Sequence, residues 1–289
     1  MTTPLLYEHP LSPYAQKNKI ALREKRVAFD LVTPDGMGSG GAGGAFVAAN
    51  PRAEVPTLVD GDVAIFDSTI IQDYIEERWP LPALLPPSPA ARARVRMIEE
   101  VMDTQYEAIV WGMMEVRVFG RAKGPLGDGL MARAAEQIAG LNRWLERQLG
   151  DADWFNGAGF GWGDIAVVPF VLGAAGFGVP PADGSPLAAW LVRCMVCDRE
   201  LIGFQRSFAS GHLPENGTAF KRVARSALFL RAGARVRRSA HFPVLFRKRK
   251  HIGCTCGLTA IKRGYGEAAA AVMHYFEDAF RRAVVGSYS

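Results

Sequence analysis

The stretch of this chain richest in usable chemistry runs from Asn50 to Ser68, NPRAEVPTLVDGDVAIFDS. Asp60-Gly61 between two apolar runs is a strong hairpin signal, so the stretch reads as turn, strand, two-residue hairpin and strand. Val55-Pro56 heads the first strand. Proline donates nothing to a ladder, so it belongs at a strand start or in a tight turn that a cis bond can serve. Asp67-Ser68 stands just before the helical pattern Ile70, Ile71, Tyr74, Ile75 and reads as an N-terminal cap. A backbone edge thereby adjoins the positive end of a helix, a pairing that can hold the backbone and carboxylate of a small peptide. Ser12-Pro13 opens another helix, with proline in its favoured first turn.

These residues need a scaffold, and the flanking pattern supplies one. Leu5-Leu6-Tyr7 reads as a first strand, a helix carrying Ile20, Ala21 and Leu22 follows Ser12, and Val27 to Val32 reads as a second strand. Asp35 to Gly44 lacks the lysine of a phosphate loop and the strand-to-helix context of a dinucleotide loop, so it reads as a mobile surface connection. The helix from Ser68 ends at Trp79-Pro80. Prolines 80, 82, 86, 87 and 89 then form a stiff linker, with a domain boundary near residues 82–88. Helical spacing resumes from Ala90 to about Phe119 and from Leu130 to Leu149. Gly163-Asp164 opens a further buried helix, at whose start Asp164 can bond nearby amides. A Pro/Gly loop then precedes the helix start Leu187 to Leu191.

In this order the motifs resemble the glutathione S-transferase superfamily, bacterial and of the serine type, over about two-thirds of the chain. The resemblance implies an α/β thioredoxin-like domain over 1–82 that binds glutathione and an all-helical bundle over 88–192 that forms the electrophile pocket. It implies a transferase in which the thiolate of glutathione attacks a hydrophobic electrophile. The alternatives are a non-catalytic scaffold or a glutathione-dependent isomerase or ether-cleaving enzyme. Ser12 would be catalytic, donating to the sulfur at a helix N-terminus, where Lys17 and Lys19 could raise the potential. Taken alone, Ser12 is an ordinary cap; beside the other motifs the catalytic reading is preferred. Val55 and Pro56 would face the cysteinyl backbone, and Asp67 and Ser68 the γ-glutamyl end. Tyr7, Tyr14 and Glu54 are secondary candidates: Tyr7 as an alternative donor, Glu54 near the glycyl end, where Arg52 is the better electrostatic helper, although a solvated surface arginine is the preferred reading. Tyr14, Trp111, Met114 and Val118 could wall the electrophile pocket, although such a stripe reads more readily as core. Mixed-disulfide chemistry at this helix is excluded, because no cysteine precedes residue 194. In the family an Asp placed like Asp164 is a folding residue. Glutathione would be the co-substrate, with no metal. The resemblance also implies a homodimer and a role in detoxification, with neither nucleic acid nor membrane as partner.

Composition is that of a globular chain, 49% apolar and 22% charged. No basic stretch leads into an apolar segment near Met1, and runs such as Ile165 to Val171 are too short to span a bilayer, so a cytoplasmic location is expected. The charge is split. Residues 1–192 carry 16 Lys+Arg against 23 Asp+Glu, whereas 193–289 carry 18 against 6 together with all four cysteines. The resemblance stops after Trp190-Leu191-Val192-Arg193. Beyond it lies a basic, Cys-containing extension with runs such as Arg247-Lys248-Arg249-Lys250-His251. A nucleic-acid patch, and a zinc site joining Cys194 and Cys197 to Cys254-x-Cys256 or His251, are the alternatives to a largely disordered extension. The last is preferred, and a frameshift in GC-rich coding DNA would produce such a composition.

Overall fold

A computed structural model describes residues 2–36, 41–117 and 119–197. The expected readings of 198–289, and of Val118, lie outside the described residues. Three-residue β1 (Leu5–Tyr7) leads into α1 (Pro13–Glu24) and edge strand β2 (Asp30–Val32). The chain continues through α2 (Gly44–Ala49), β3 (Thr57–Asp60), β4 (Val63–Phe66) and α3 (Ser68–Arg78). The sheet order is β2-β1-β3-β4, with β1 parallel to β2 and antiparallel to β3. This is the thioredoxin-like arrangement expected. Leu6 and Leu58 lie opposite each other in register and are both fully buried, with Ile20, Leu22, Ile71 and Ile75 from α1 and α3 completing that layer.

After the proline linker the chain is helical: α4 (Pro89–Val101), a π-helical segment (Met102–Tyr106), α5 (Glu107–Arg117), α6 (Gly124–Leu149), α7 (Trp162–Gly176) and α8 (Pro186–Cys197). Helix α7 is buried along almost its whole length, as expected for a helix apolar all round. It packs against α1, α4 and α5, so one hydrophobic cluster runs from Leu6 to Cys194.

Several boundaries differ from the sequence reading. The hairpin loop is Gly61-Asp62 rather than Asp60-Gly61, because Asp60 pairs with Val63 and Gly61 supplies the positive φ of +64°. The second strand is shorter, since Val27 N–H still bonds Leu22 O at the end of α1. The glycine-rich connection ends in a short helix, α2. Helix α6 starts six residues before Leu130, with Gly127 in its first turns because a Cβ there would meet Ala122 O at 2.7 Å. Helix α8 runs past residue 192 to Cys197, and Cys194 lies in the core.

Candidate active site

Strand register builds the site. Tyr7, Thr57 and Phe66 form one row across β1, β3 and β4. The residues one step beyond that row are therefore Glu8, Pro56 and Asp67, all at the same end of the sheet. Glu8 leads through a turn to Ser12 and α1; Asp67 leads directly into α3. The Val55-Pro56 bond is cis. The loop before it is held by Asn50, a buried residue that the sequence reading missed. Its Nδ2 donates to Glu54 O at 2.8 Å and to Thr57 Oγ1 at 3.0 Å, and its Oδ1 accepts from Arg52 N at 3.0 Å. An Asn between a helix and a Pro-headed strand is a turn signal, and that was the available clue.

Ser12 caps α1. Its Oγ accepts from Ala15 N at 3.2 Å, which leaves the hydroxyl hydrogen to donate elsewhere. Tyr7 is buried with its ring on Phe46, centroids 5.2 Å apart, so its side chain serves the core. Tyr14 donates to Asp103 O at 2.7 Å and stands edge-on to Phe170. Burial raises its pKa, with help from Glu107, Asp103 and Asp67, so the phenol stays protonated.

Asp67 caps α3 from a φ of +77°, which an L side chain adopts only under strain. Its exposed carboxylate accepts from Thr69 N at 3.0 Å and Ile70 N at 3.3 Å. Ser68, in contrast, is buried: Lys17 Nζ donates to its Oγ at 3.4 Å, and Asn18 Nδ2 to its carbonyl at 2.8 Å.

Lys17 and Lys19 do not raise the potential at the helix start as expected, because both are consumed in buried ion pairs. Lys17 Nζ lies 2.6 Å from Glu99 Oε1 and 2.7 Å from Asp103 Oδ2. Thr69 Oγ1 is 3.2 Å from both carboxylates, and Trp162 Nε1 donates to Glu99 Oε2 at 2.6 Å. Burial works against the Lys17 charge, but the two acids more than reverse that and raise its pKa. Burial also raises the pKa of Asp103, with the Glu99 charge adding to it, against the pull of Lys17 and Thr69. Lys19 pairs with Glu8 at 2.7 Å, and burial holds its pKa below the ordinary lysine value. Glu99 and Asp103 escaped the sequence reading, although two acids four residues apart share a helix face and ask for a cation.

Glu54 is exposed and pairs with the equally exposed Arg52 at 2.7 Å, a surface contact worth little. Tyr14 and Met114 pack on the main core, whereas Trp111 stands half exposed against Phe119 with centroids 6.1 Å apart. Asp164 is fully buried and accepts from Phe155 N at 2.9 Å, Gly161 N at 3.1 Å, Asn156 N at 3.3 Å and Trp190 Nε1 at 2.8 Å. Burial pushes its carboxyl up to about 6, against the pull of these four donors.

Two family models match the chain: the glutathione S-transferase N-terminal domain over residues 6–83 and the C-terminal domain over residues 128–193. Glutathione S-transferase U28 of Arabidopsis thaliana is 29% identical over 219 residues, spanning 73% of this chain and 89% of that protein. A stringent starvation protein A homolog of Coxiella burnetii is 40% identical over 93 residues, spanning 32% of this chain and 43% of its own length. Among solved structures, rice GST1 in complex with glutathione superposes with a TM-score of 0.59 at 25% identity, covering 80% of this chain and 97% of that one.

Proposed function

This chain belongs to the glutathione S-transferase superfamily, and we propose that it works as a glutathione transferase acting on a hydrophobic electrophile. The supporting observation is the strand register, which gathers Ser12, Val55-Pro56 and Asp67-Ser68 at one end of the sheet beside two helix N-termini. In this reading, residues 1–82 bind glutathione as co-substrate and residues 88–192 shape the electrophile site. Val55 pairs with the tripeptide backbone beside Pro56. The exposed Asp67 carboxylate and Ser68 receive the γ-glutamyl end.

The chemistry is thiolate attack. Ser12 keeps a hydroxyl hydrogen to donate to the sulfur, and the unpaired amides at the start of α1 favour the anion. The sulfur's electron pair forms a bond to the electrophilic carbon, the leaving group departs with its own pair, and the thiol proton goes to solvent. In this reading Ser12 rather than Tyr7 or Tyr14 faces the sulfur; the packing of Tyr7 on Phe46 and the bond from Tyr14 to Asp103 O support that choice. The protein works in this reading as a cytoplasmic homodimer.

Retention on immobilised glutathione followed by turnover with a panel of aryl halides tests the reading. Ser12→Ala should bind glutathione yet turn over slowly; wild-type turnover in that variant removes Ser12 from the mechanism. The 40% identity to a stringent starvation protein A homolog favours a second reading, a non-catalytic scaffold on the same fold. That reading predicts no turnover with any electrophile.

A further inference from the structure

We propose that His9 is a positioning residue: its unprotonated Nδ1 anchors the turn that sets Ser12 against the sulfur of glutathione. The proposal rests on the reading of Ser12 given above. Ser12 N donates to His9 O at 2.9 Å, which closes a four-residue turn, His9-Pro10-Leu11-Ser12. Proline occupies its second position, where a fixed φ suits the turn. The first position ordinarily favours Asp, Asn or Ser, whose side-chain oxygen accepts from the amide two residues on. Here imidazole does that work: His9 Nδ1 accepts from Leu11 N at 3.2 Å.

The turn is pinned on both sides. Gln16 Nε2 donates to Pro10 O at 2.8 Å, and Glu8, one residue before His9, donates N–H to Val32 O at 2.9 Å and pairs with buried Lys19. Leu11 packs against the main core. Between these anchors, Nδ1 is the group that holds the middle of the turn, and Ser12 is the next residue after Leu11. Only the neutral ring with its hydrogen on Nε2 can accept at Nδ1; a protonated ring turns a donor toward the Leu11 donor. The charged groups facing His9 are Glu8 beside it and Lys19 from α1. Burial holds its pKa below the ordinary histidine value, Glu8 opposes that and Lys19 adds to it. At neutral pH the acceptor is therefore in place.

The test follows the turn and the reaction together, in the full chain, between about pH 5 and pH 8. The Leu11 amide resonance is recorded in leucine-labelled protein, and kcat/KM is measured with glutathione and an aryl chloride. In wild type the Leu11 amide should shift as His9 titrates, and kcat/KM should fall at acid pH more steeply than proton uptake by the thiolate alone would make it, by a further roughly fivefold as His9 takes up its proton. His9→Asn keeps an acceptor that does not titrate. It should retain wild-type activity at neutral pH, lose the Leu11 shift and fall with about one proton. His9→Ala should lower kcat/KM by roughly fivefold at neutral pH, the worth of one hydrogen bond, with KM for glutathione little changed. A Leu11 amide indifferent to His9 titration, or a His9→Asn profile as steep as wild type, overturns the proposal. Failure of the parent reading looks different: Ser12→Ala would then turn over normally while the Leu11 amide still followed His9.

Discussion

Lys17 Nζ lies 2.6 Å from Glu99 Oε1 with both side chains shut away from solvent, so a single ion pair ties α1 to α4 at the point where α3 begins. Removing the cation strands two acids. Lys17→Met should therefore cost about 3–5 kcal/mol in urea unfolding, the usual consequence of orphaning a buried charge. Adding Glu99→Gln, which keeps an acceptor for Trp162 and drops one negative charge, should recover part of that loss. A Lys17→Met protein as stable as wild type would show that the pair carries no such weight.

Ser12 holds two posts, and its substitutions separate them. Ser12→Ala removes the cap on Ala15 N and should cost about 1 kcal/mol of stability. It should also lower kcat/KM roughly 10- to 100-fold, the worth of a hydrogen bond to a charged sulfur. Ser12→Thr keeps cap and hydroxyl, so thermal unfolding should stay close to wild type. If Ala and Thr variants turn over alike, the hydroxyl is a cap and nothing more.

Asp67 combines a strained backbone with an exposed carboxylate. Asp67→Gly relieves the φ of +77°, worth on the order of 1–3 kcal/mol, and loses a side-chain cap at a cost of only about 0.3 kcal/mol, since glycine is itself tolerated there. Stability should hold or rise while KM for glutathione increases severalfold. A variant with unchanged KM would take the carboxylate out of substrate binding.

Asp164 gives a pH dependence whose sign follows from its raised pKa. Between about pH 4, where an unfolded Asp titrates, and about pH 6 the folded protein holds a proton that the unfolded chain has released. The contribution is fully present below the lower value and is lost as pH rises through the upper one, about 3 kcal/mol in all. Asp164→Asn should flatten that part of the stability curve. It should also lower stability at neutral pH by about 1–3 kcal/mol, because an amide NH2 meets the Gly161 and Asn156 donors. Denaturant titrations at several pH values measure both effects.

The parts of the site that local chemistry specifies were legible in the sequence. Strand β1, the caps at Ser12 and Asp67 and the turn at Val55-Pro56 each depend on a few neighbouring residues, and each stands where the pattern put it. The hairpin slipped by one residue because either Asp60-Gly61 or Gly61-Asp62 satisfies the turn rule, and strand pairing decides between them. Helix α6 hid its first turns behind Gly124, Gly127 and Gly129, poor helix formers whose presence at Gly127 is explained only by the backbone of Ala122.

Long-range electrostatics was not legible. A lysine in the first half of an amphipathic helix ordinarily points to water, and nothing near Lys17 in the chain announces Glu99 or Asp103. Membership of the core was equally hidden for Cys194, which charge and cysteine counts had assigned to the tail but which packs with Leu191 in α8.

The π segment at Met102–Tyr106, where Glu107 N–H reaches back five residues to Met102 O, carries one residue more per turn than the helices on either side. That surplus sets every later residue back by about 100° around the axis from its place in an uninterrupted α-helix. It is a phase shifter between two halves of one rod, and it lets α4 and α5 address different neighbours. Deleting one residue inside it would give uninterrupted α-helix with α5 still turned to its present neighbours, whereas rewinding the segment at full length would swing α5 about 100° toward the wrong ones.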